Sequence, residues 1–312
     1  MTGRGQVLAA RVDADAVLER LPPLAGTQRR IELLTGGLTN RNYHVTTADG
    51  AQYVARFAAP KSALLAIDRD AEYRNSALAA EAGVGPEVVA YAADDGVLIV
   101  KWIDGRTFED SDLDDPKQLE RVAAACRRLH AGKRFVSDFD MFEVQRGYLD
   151  IVLNSGFRLP ADYLSFAPAV HRIEEVLRAS AHGTVPCHND LLAANIMDNG
   201  ARIWLIDYEY SGNNDPCFEL GNIWSEAALE VDRLEHLLAA YFGSPSPVHT
   251  ARARLFGLIA KYGWTLWASI QDAVSDVGFD YWAWGLEKYE RARAELRGAE
   301  FEQLITTIRE SI

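Results

Sequence analysis

His188, Asn189 and Asp190 open a run that continues Leu191-Leu192-Ala193-Ala194-Asn195, and Ile203-Trp204-Leu205-Ile206-Asp207-Tyr208-Glu209 follows it. One aspartate therefore stands five residues ahead of an asparagine, and a second closes an apolar, strand-like run twelve residues farther on. Phosphoryl transfer asks for such a set. Its transition state is loose and in line, so catalysis consists of orienting the attacking hydroxyl and neutralising phosphate charge with magnesium. Asp190 can orient that hydroxyl and accept its proton. Asn195 and Asp207 can supply the hard oxygen ligands that magnesium takes. The same residue types also build polar turns between buried elements. The downstream Ile-Asp-Tyr-Glu run, at the right distance, favours the chemical reading.

The spacing matches a kinase catalytic loop, in which an aspartate precedes a metal-binding asparagine by five positions. Asn189 stands where protein kinases carry arginine, which points to a small-molecule kinase. The protein-kinase D-F-G and A-P-E signatures are missing, and no activation-loop segment separates Asp207 from Asp215.

A nucleotide needs its own half of the site. Gly36-Gly37-Leu38-Thr39-Asn40 lies between two strand-like runs, where glycine lets backbone N–H groups approach phosphates. Gly37, Thr39 and Asn40 are the candidate contacts, although any hairpin can carry two glycines. Arg56 lies in the strand where kinases place a phosphate-binding lysine, and its guanidinium would offer a bidentate fork. Glu72, on the following helix, is its expected partner; the plain alternative is a surface arginine beside a surface glutamate. Both halves of such a site need ATP and Mg2+.

These residues need elements to hold them. A short helix over Asp13–Leu21 is stopped by Pro22-Pro23. Strands are expected at Ile31–Leu34, around Tyr43-His44-Val45, and at Tyr53–Phe57, Val88–Ala92 and Val97–Trp102, with Asp49-Gly50 as a hairpin turn. Helical periodicity covers Arg69–Glu81, and Gly83 follows as its terminator. Beyond Gly105 the pattern turns helical: Lys117–His130, Pro168–Ala181, Asp215–Leu229, Leu234–Phe242, Thr250–Ala273 and Tyr281–Ile312. The catalytic segment falls on a loop and short hairpin between Pro186 and Gly212. The expected fold is α+β and two-lobed. A small antiparallel β-rich lobe with one inserted helix spans residues 1–104, and a larger helical lobe spans residues 105–312. ATP is expected in the cleft between them.

Composition narrows the partners. The 312 residues are 48% hydrophobic, enough for a sizeable core, and the formal net charge is −13. No basic stripe suits nucleic acid and no polybasic segment suits a membrane surface. The acidic balance favours a cationic small-molecule acceptor. The three cysteines form no CxxC pair, which fits a reducing compartment and a cytoplasmic location. Cys187 adjoins His188, but no orienting residue completes a cysteine nucleophile.

Four of the seven tryptophans lie between Trp264 and Trp284. Trp264 and Trp267 are three apart on an expected helix, so they share a face. Clustered aromatics commonly form core. With a carboxylate among them, here Glu226, they also form a cage for ammonium groups, each ring contributing about 0.5–2 kcal/mol.

On Gly36–Asn40, His188–Leu192, Ile206–Tyr210, Glu219-Leu220-Gly221-Asn222 and Trp264–Gln271 together, the chain resembles the choline/ethanolamine kinases. These belong to the broader aminoglycoside phosphotransferase and protein-kinase-like group. The resemblance runs from Gly36 to about Trp282. It implies Asp190 as catalytic base, Asn195 and Asp207 as metal ligands, and Arg56 on the ATP phosphates. It also implies that Tyr210, Glu226, Trp264, Trp267 and Trp282 line the acceptor pocket beside Asp190. Two positions depart from the pattern. Glu219 replaces an aspartate that braces the catalytic loop, and Trp282 falls where the family carries tyrosine. The implied activity is transfer of the ATP γ-phosphate to choline or a related amino alcohol. Ethanolamine, a sugar or an aminoglycoside are the alternative acceptors, and a non-catalytic nucleotide-binding protein on the same scaffold is a third reading.

Overall fold

In this computed structural model, residues 14–35, 37, 39–58 and 62–312 are described. Residues 14–18 form a first helical segment, α1. Five strands then build an antiparallel sheet: β1 (Arg29–Leu33), β2 (Arg41–Thr47), β3 (Gln52–Phe57), β4 (Val88–Ala92) and β5 (Val97–Lys101), in the order β1-β2-β3-β5-β4. Alternation sets the faces: Tyr43, Val45 and Thr47 of β2 are buried while their neighbours are not. The turn at Asp49-Gly50 joins β2 to β3, with Gly50 at φ +86°. Helix α2 (Arg69–Glu81) is inserted before β4. The Asp68 side chain accepts from the backbone N–H groups of Asp70 and Ala71 at its start, and Gly83 follows its end at φ +74°.

The rest is helical: α3 (Pro116–His130), α4 (Met141–Ser155), α5 (Ala167–Ala179), α6 (Pro216–Glu226), α7 (Val231–Phe242), α8 (Pro247–Val274), α9 (Tyr281–Arg297) and α10 (Phe301–Arg309). Five short strands carry the catalytic segment. β7 (Val185–Cys187) pairs with β10 (Gly212–Asn214), and β8 (Ile196–Asp198) lies between β6 (Arg106–Thr107) and β9 (Ile203–Leu205). The sheet has its own apolar core around Val45, Ala55, Val97 and Ile99. A larger core fills the helical part and also takes in Leu65, Ala79 and Val84.

Helix α8 is the spine, packing against α4, α6, α9 and α10. Its approach to α6 needs glycine on both sides. A Cβ on Gly221 would fall 2.1 Å from the Ala253 carbonyl oxygen, and one on Gly257 would fall 2.7 Å from that of Gly221. This crossing brings the end of α6, with Glu226, to the same wall as the tryptophans of α8.

Two elements differ from the sequence expectation. The single helix expected over Tyr281–Ile312 is two, because the chain leaves helical geometry at Gly298 and restarts at Phe301. Helix α4 was not anticipated. Its signals are standard ones: Asp140 accepts from the Phe142 and Glu143 N–H groups, and Gly156 closes the helix at φ +66°.

Candidate functional site

The catalytic loop leaves β7 at Cys187 and is braced from below. Glu219, in the first turn of α6, is fully buried. Its carboxylate accepts from the backbone N–H of His188 at 2.9 Å and of Asn189 at 2.7 Å. His130 Nε2 lies 3.3 Å from the same carboxylate. Burial pushes the Glu219 carboxyl up, but the His130 hydrogen bond, the two imidazoles and the His188 amide outweigh it, and the net shift is downward. The longer side chain at this position therefore still reaches both loop amides.

Asn189 takes the left-handed conformation, φ 67°, which asparagine tolerates better than most residues. Its Nδ2 donates to the carbonyls of Tyr210 (3.0 Å) and Gly212 (3.2 Å), while its Oδ1 accepts from Asn214 at 2.9 Å. This residue is a buttress that ties the loop to β10. His188 links the two aspartates. The Asp190 N–H donates to its Nδ1 at 3.3 Å, and its Nε2 donates to the Ile206 carbonyl, next to Asp207, at 2.7 Å. Asn195 adds a third tie, donating Nδ2 to the Asp190 carbonyl at 2.8 Å.

Asp190 itself lines a cleft of about 720 Å³ between the sheet and the helices. Burial first, then the charges of Glu226, Asp207 and Glu209, push its carboxyl well above the usual carboxylate range, with Lys288 opposing. A carboxylate moved upward in this way takes a proton more readily.

At the phosphate end, Arg56 and Asp207 meet. Asp207 follows β9 at φ 70°, a turn that places its side chain at the cleft. Arg56 Nη1 lies 2.7 Å from Asp207 Oδ1 and 2.7 Å from Glu72 Oε1, and its Nη2 lies 2.7 Å from Glu209 Oε2. Arg69 joins the cluster, at 2.6 Å from Glu72 and 3.2 Å from Glu209, and donates to Asn40 Oδ1 at 3.0 Å. Two guanidiniums thus face three carboxylates, which leaves one negative charge over. Burial raises the Asp207 carboxyl; Arg56 and Arg69 pull it down, while Glu209 and Glu72 reinforce the rise, and the net shift is upward. Asp207 Oδ1 is buried and makes no well-formed hydrogen bond among the described residues. An acidic surplus, the Asp207 carboxylate and the neighbouring Asn195 side chain form a donor set that fits magnesium.

Gly37, Thr39 and Asn40 edge the same cleft. A Cβ at Gly37 would fall 2.9 Å from the Asn40 carbonyl oxygen, so the tight turn requires glycine. Asn40 donates to Glu209 at 2.9 Å, which ties this turn to the charge cluster. Gly36 and Leu38 of the same motif lie outside the described residues. Glu72 does not line the cleft; it holds Arg56 from behind, as its expected role requires. Val54, Leu98, Val100, Leu192, Met197 and Ile206 give the neighbouring part of the cleft an apolar lining suited to a flat base.

Tyr210, Glu226, Trp264 and Trp267, which the resemblance assigns to the acceptor, line the same cleft. Tyr210 and Trp264 meet edge to face at 5.0 Å. The fourth ring is a correction: Trp284, not Trp282, completes the wall, with its centroid 5.5 Å from that of Trp267. Trp282 instead lies under the Arg158 guanidinium, at 4.0 Å. Residues two apart on a helix point in nearly opposite directions, so only one of the pair can face the cleft. Cys187 stays outside the site. Its thiol is buried, 3.6 Å from His130 Nε2, and burial holds it protonated, pushed well above its ordinary range.

The structure therefore gathers Asp190, Asn195, Asp207, Arg56 and the aromatic wall in one cleft. Sequence reasoning missed Arg69, Glu209, Trp284 and Lys288. Glu209 sat inside a motif already singled out, and its spacing two residues after Asp207 was an available signal.

Comparison with known proteins agrees with this geometry. The sequence pattern of the family described as Choline/ethanolamine kinase matches residues 31–237. Protein LicA of Haemophilus influenzae is 28% identical over 258 residues, spanning 79% of this chain and 75% of that protein. Ethanolamine kinase 1 of Mus musculus is 26% identical over 302 residues, spanning 84% of this chain and 82% of that protein. The crystal structure of a choline/ethanolamine kinase family protein from Mesorhizobium loti superposes with a TM-score of 0.83 at 30% identity. It covers 96% of this chain and 99% of that one.

Proposed function

This chain belongs to the choline/ethanolamine kinase family, and on that premise we propose that it transfers the γ-phosphoryl group of ATP to the hydroxyl of choline or a related amino alcohol. One observation carries the reading: Asp190 sits in a single cleft between a charge cluster suited to phosphates and a wall of three tryptophans, a tyrosine and a carboxylate. The acceptor hydroxyl donates to the Asp190 carboxylate. Its oxygen attacks the γ-phosphorus, Asp190 takes the proton as the new O–P bond forms, and ADP leaves. Arg56, held by Glu72 and Glu209, steadies the phosphates. Asn195 and Asp207 would hold magnesium, which would neutralise the phosphate charge. The tryptophan faces hold the acceptor's ammonium group. We place the lobe boundary at residues 103–105, just beyond β5. We place the protein in the cytoplasm: Cys126, Cys187 and Cys217 are all free and buried. Among the described residues, no helix is long and apolar enough to cross a membrane.

The test is ADP release measured against a panel of choline, ethanolamine, sugars and aminoglycosides, with ATP and magnesium present. Stimulation confined to the amino alcohols supports the reading. Stimulation by the sugars or aminoglycosides, with none from the amino alcohols, overturns it.

A further inference from the structure

Helix α9 brings a cation of the protein's own to the acceptor wall. Lys288 Nζ lies 2.6 Å from Glu226 Oε2, and the two side chains are 3% and 6% exposed. The same ammonium lies 4.2 Å from the centre of the Trp284 ring. Trp284 and Lys288 are four residues apart on α9, so they share a face. Lys288 does not line the cleft, whereas Glu226 and Trp284 do. The pairing uses one carboxylate oxygen and leaves the other. Glu226 Oε1 is buried and meets no hydrogen-bond donor among the described residues.

We propose that Lys288 is a positioning residue that sets acceptor choice. It fixes Glu226 through Oε2, leaves Oε1 as the anchor for the acceptor's nitrogen, and so selects amino alcohols that still carry an N–H over the trimethylated one. The inference rests on the amino-alcohol reading above and narrows it. A protonated primary, secondary or tertiary amine donates an N–H to Oε1. A quaternary nitrogen is wrapped in methyl groups and has nothing to donate, so it leaves a buried acceptor unpaired. Charge does not make up the difference. Lys288 already pairs with Glu226, so a quaternary ion gains less from this carboxylate, and the Asp190 carboxylate in the same cleft acts on all four cations alike. Sites that pair a substrate N–H or O–H discriminate steeply against analogues lacking it.

The experiment compares kcat/KM for ethanolamine, N-methylethanolamine, N,N-dimethylethanolamine and choline at saturating ATP and magnesium. The wild-type values are expected to change little across the first three and to fall about tenfold or more at choline, where the last N–H is lost. Lys288→Met keeps the apolar stem and removes the ammonium, so Glu226 regains its charge; the fall at choline should shrink to about threefold or less. Lys288→Arg keeps the charge and should keep the fall. An unchanged KM for ATP in each variant reports an intact nucleotide half. If wild-type choline turnover equals or exceeds that of the dimethyl compound, the inference is wrong, and this arm decides even if Lys288→Met does not fold. If Lys288→Met moves all four acceptors by one factor, its role is structural and the inference also falls. Turnover of none of the four would instead overturn the amino-alcohol reading itself.

Discussion

Glu219→Gln isolates the brace beneath the catalytic loop. The substitution keeps the shape of the side chain and removes its charge. The native carboxylate accepts from two successive backbone amides, His188 at 2.9 Å and Asn189 at 2.7 Å. A carboxamide has a single acceptor oxygen, so its NH2 group must face one of these N–H groups. One charge-assisted hydrogen bond, worth about 1.5–3 kcal/mol, is lost, and one buried N–H is stranded at about 1–3 kcal/mol. The loop conformation that presents Asp190 therefore loses about 2.5–6 kcal/mol of support. At 1.36 kcal/mol per factor of ten, kcat should fall by about two to four orders of magnitude. KM for ATP should stay within about threefold, because the Arg56 cluster is untouched. The assay is ADP release at saturating acceptor, with near-ultraviolet circular dichroism to report folding. A folded variant whose kcat stays within about threefold of the wild type would refute the claim that this carboxylate holds the loop.

The remaining predictions use the same assays. Trp264→Ala and Trp284→Ala should each raise KM for the acceptor with little change for ATP, while Trp282→Ala should leave both unaltered, since its ring lies under Arg158. An acceptor KM moved by Trp282→Ala but not by Trp284→Ala would reverse the assignment. Arg56→Ala leaves Glu72, Asp207 and Glu209 with Arg69 as the one remaining guanidinium of the cluster and should cost about 3–5 kcal/mol in stability, read by denaturant titration, together with a raised KM for ATP. The share of stability that His188 supplies should fall on acidification. Burial lowers the His188 pKa, with Glu219 and the Ile206 carbonyl opposing, so the folded ring stays neutral while the unfolded ring takes a proton. The stability this provides is present above the unfolded value of about 6.5 and is lost as pH falls through it. Relative to the wild type, His188→Asn should gain melting temperature as pH falls from about 7.5 to 5.5, and an unchanged difference between the two would count against it.

The parts of the fold legible in the sequence were those written in local chemistry. The strands over 88–92 and 97–101 and the helix over 69–81 announced themselves through short apolar runs, helical periodicity and Gly83. Asp190, Asn195 and Asp207 were legible because the chemistry demands those types at that spacing. The phase of α9 was not. Trp282 and Trp284 are equivalent by type, and what turns Trp284 inward is tertiary contact: a Cβ on Gly285 would fall 2.4 Å from that of Ala268, so this face packs directly on α8. Lys288 was hidden for the same reason, because a lysine four residues along reads as solvated surface until that phase is known. Arg69 read as an ordinary first-turn residue. Its partners, Asn40 and Glu209, are 29 and 140 residues away, and no local pattern encodes such a pairing.

The account stands most directly on Asp190 as the group that receives the acceptor's proton. Phosphorus NMR of ATP and magnesium with ethanolamine or choline follows the transfer itself. The wild type should convert the γ-phosphate signal into that of a phosphate monoester of the acceptor, and Asp190→Asn should slow this by about 10²–10⁴-fold while still binding ATP. Monoester formation at near wild-type rate by a folded Asp190→Asn protein would contradict the account.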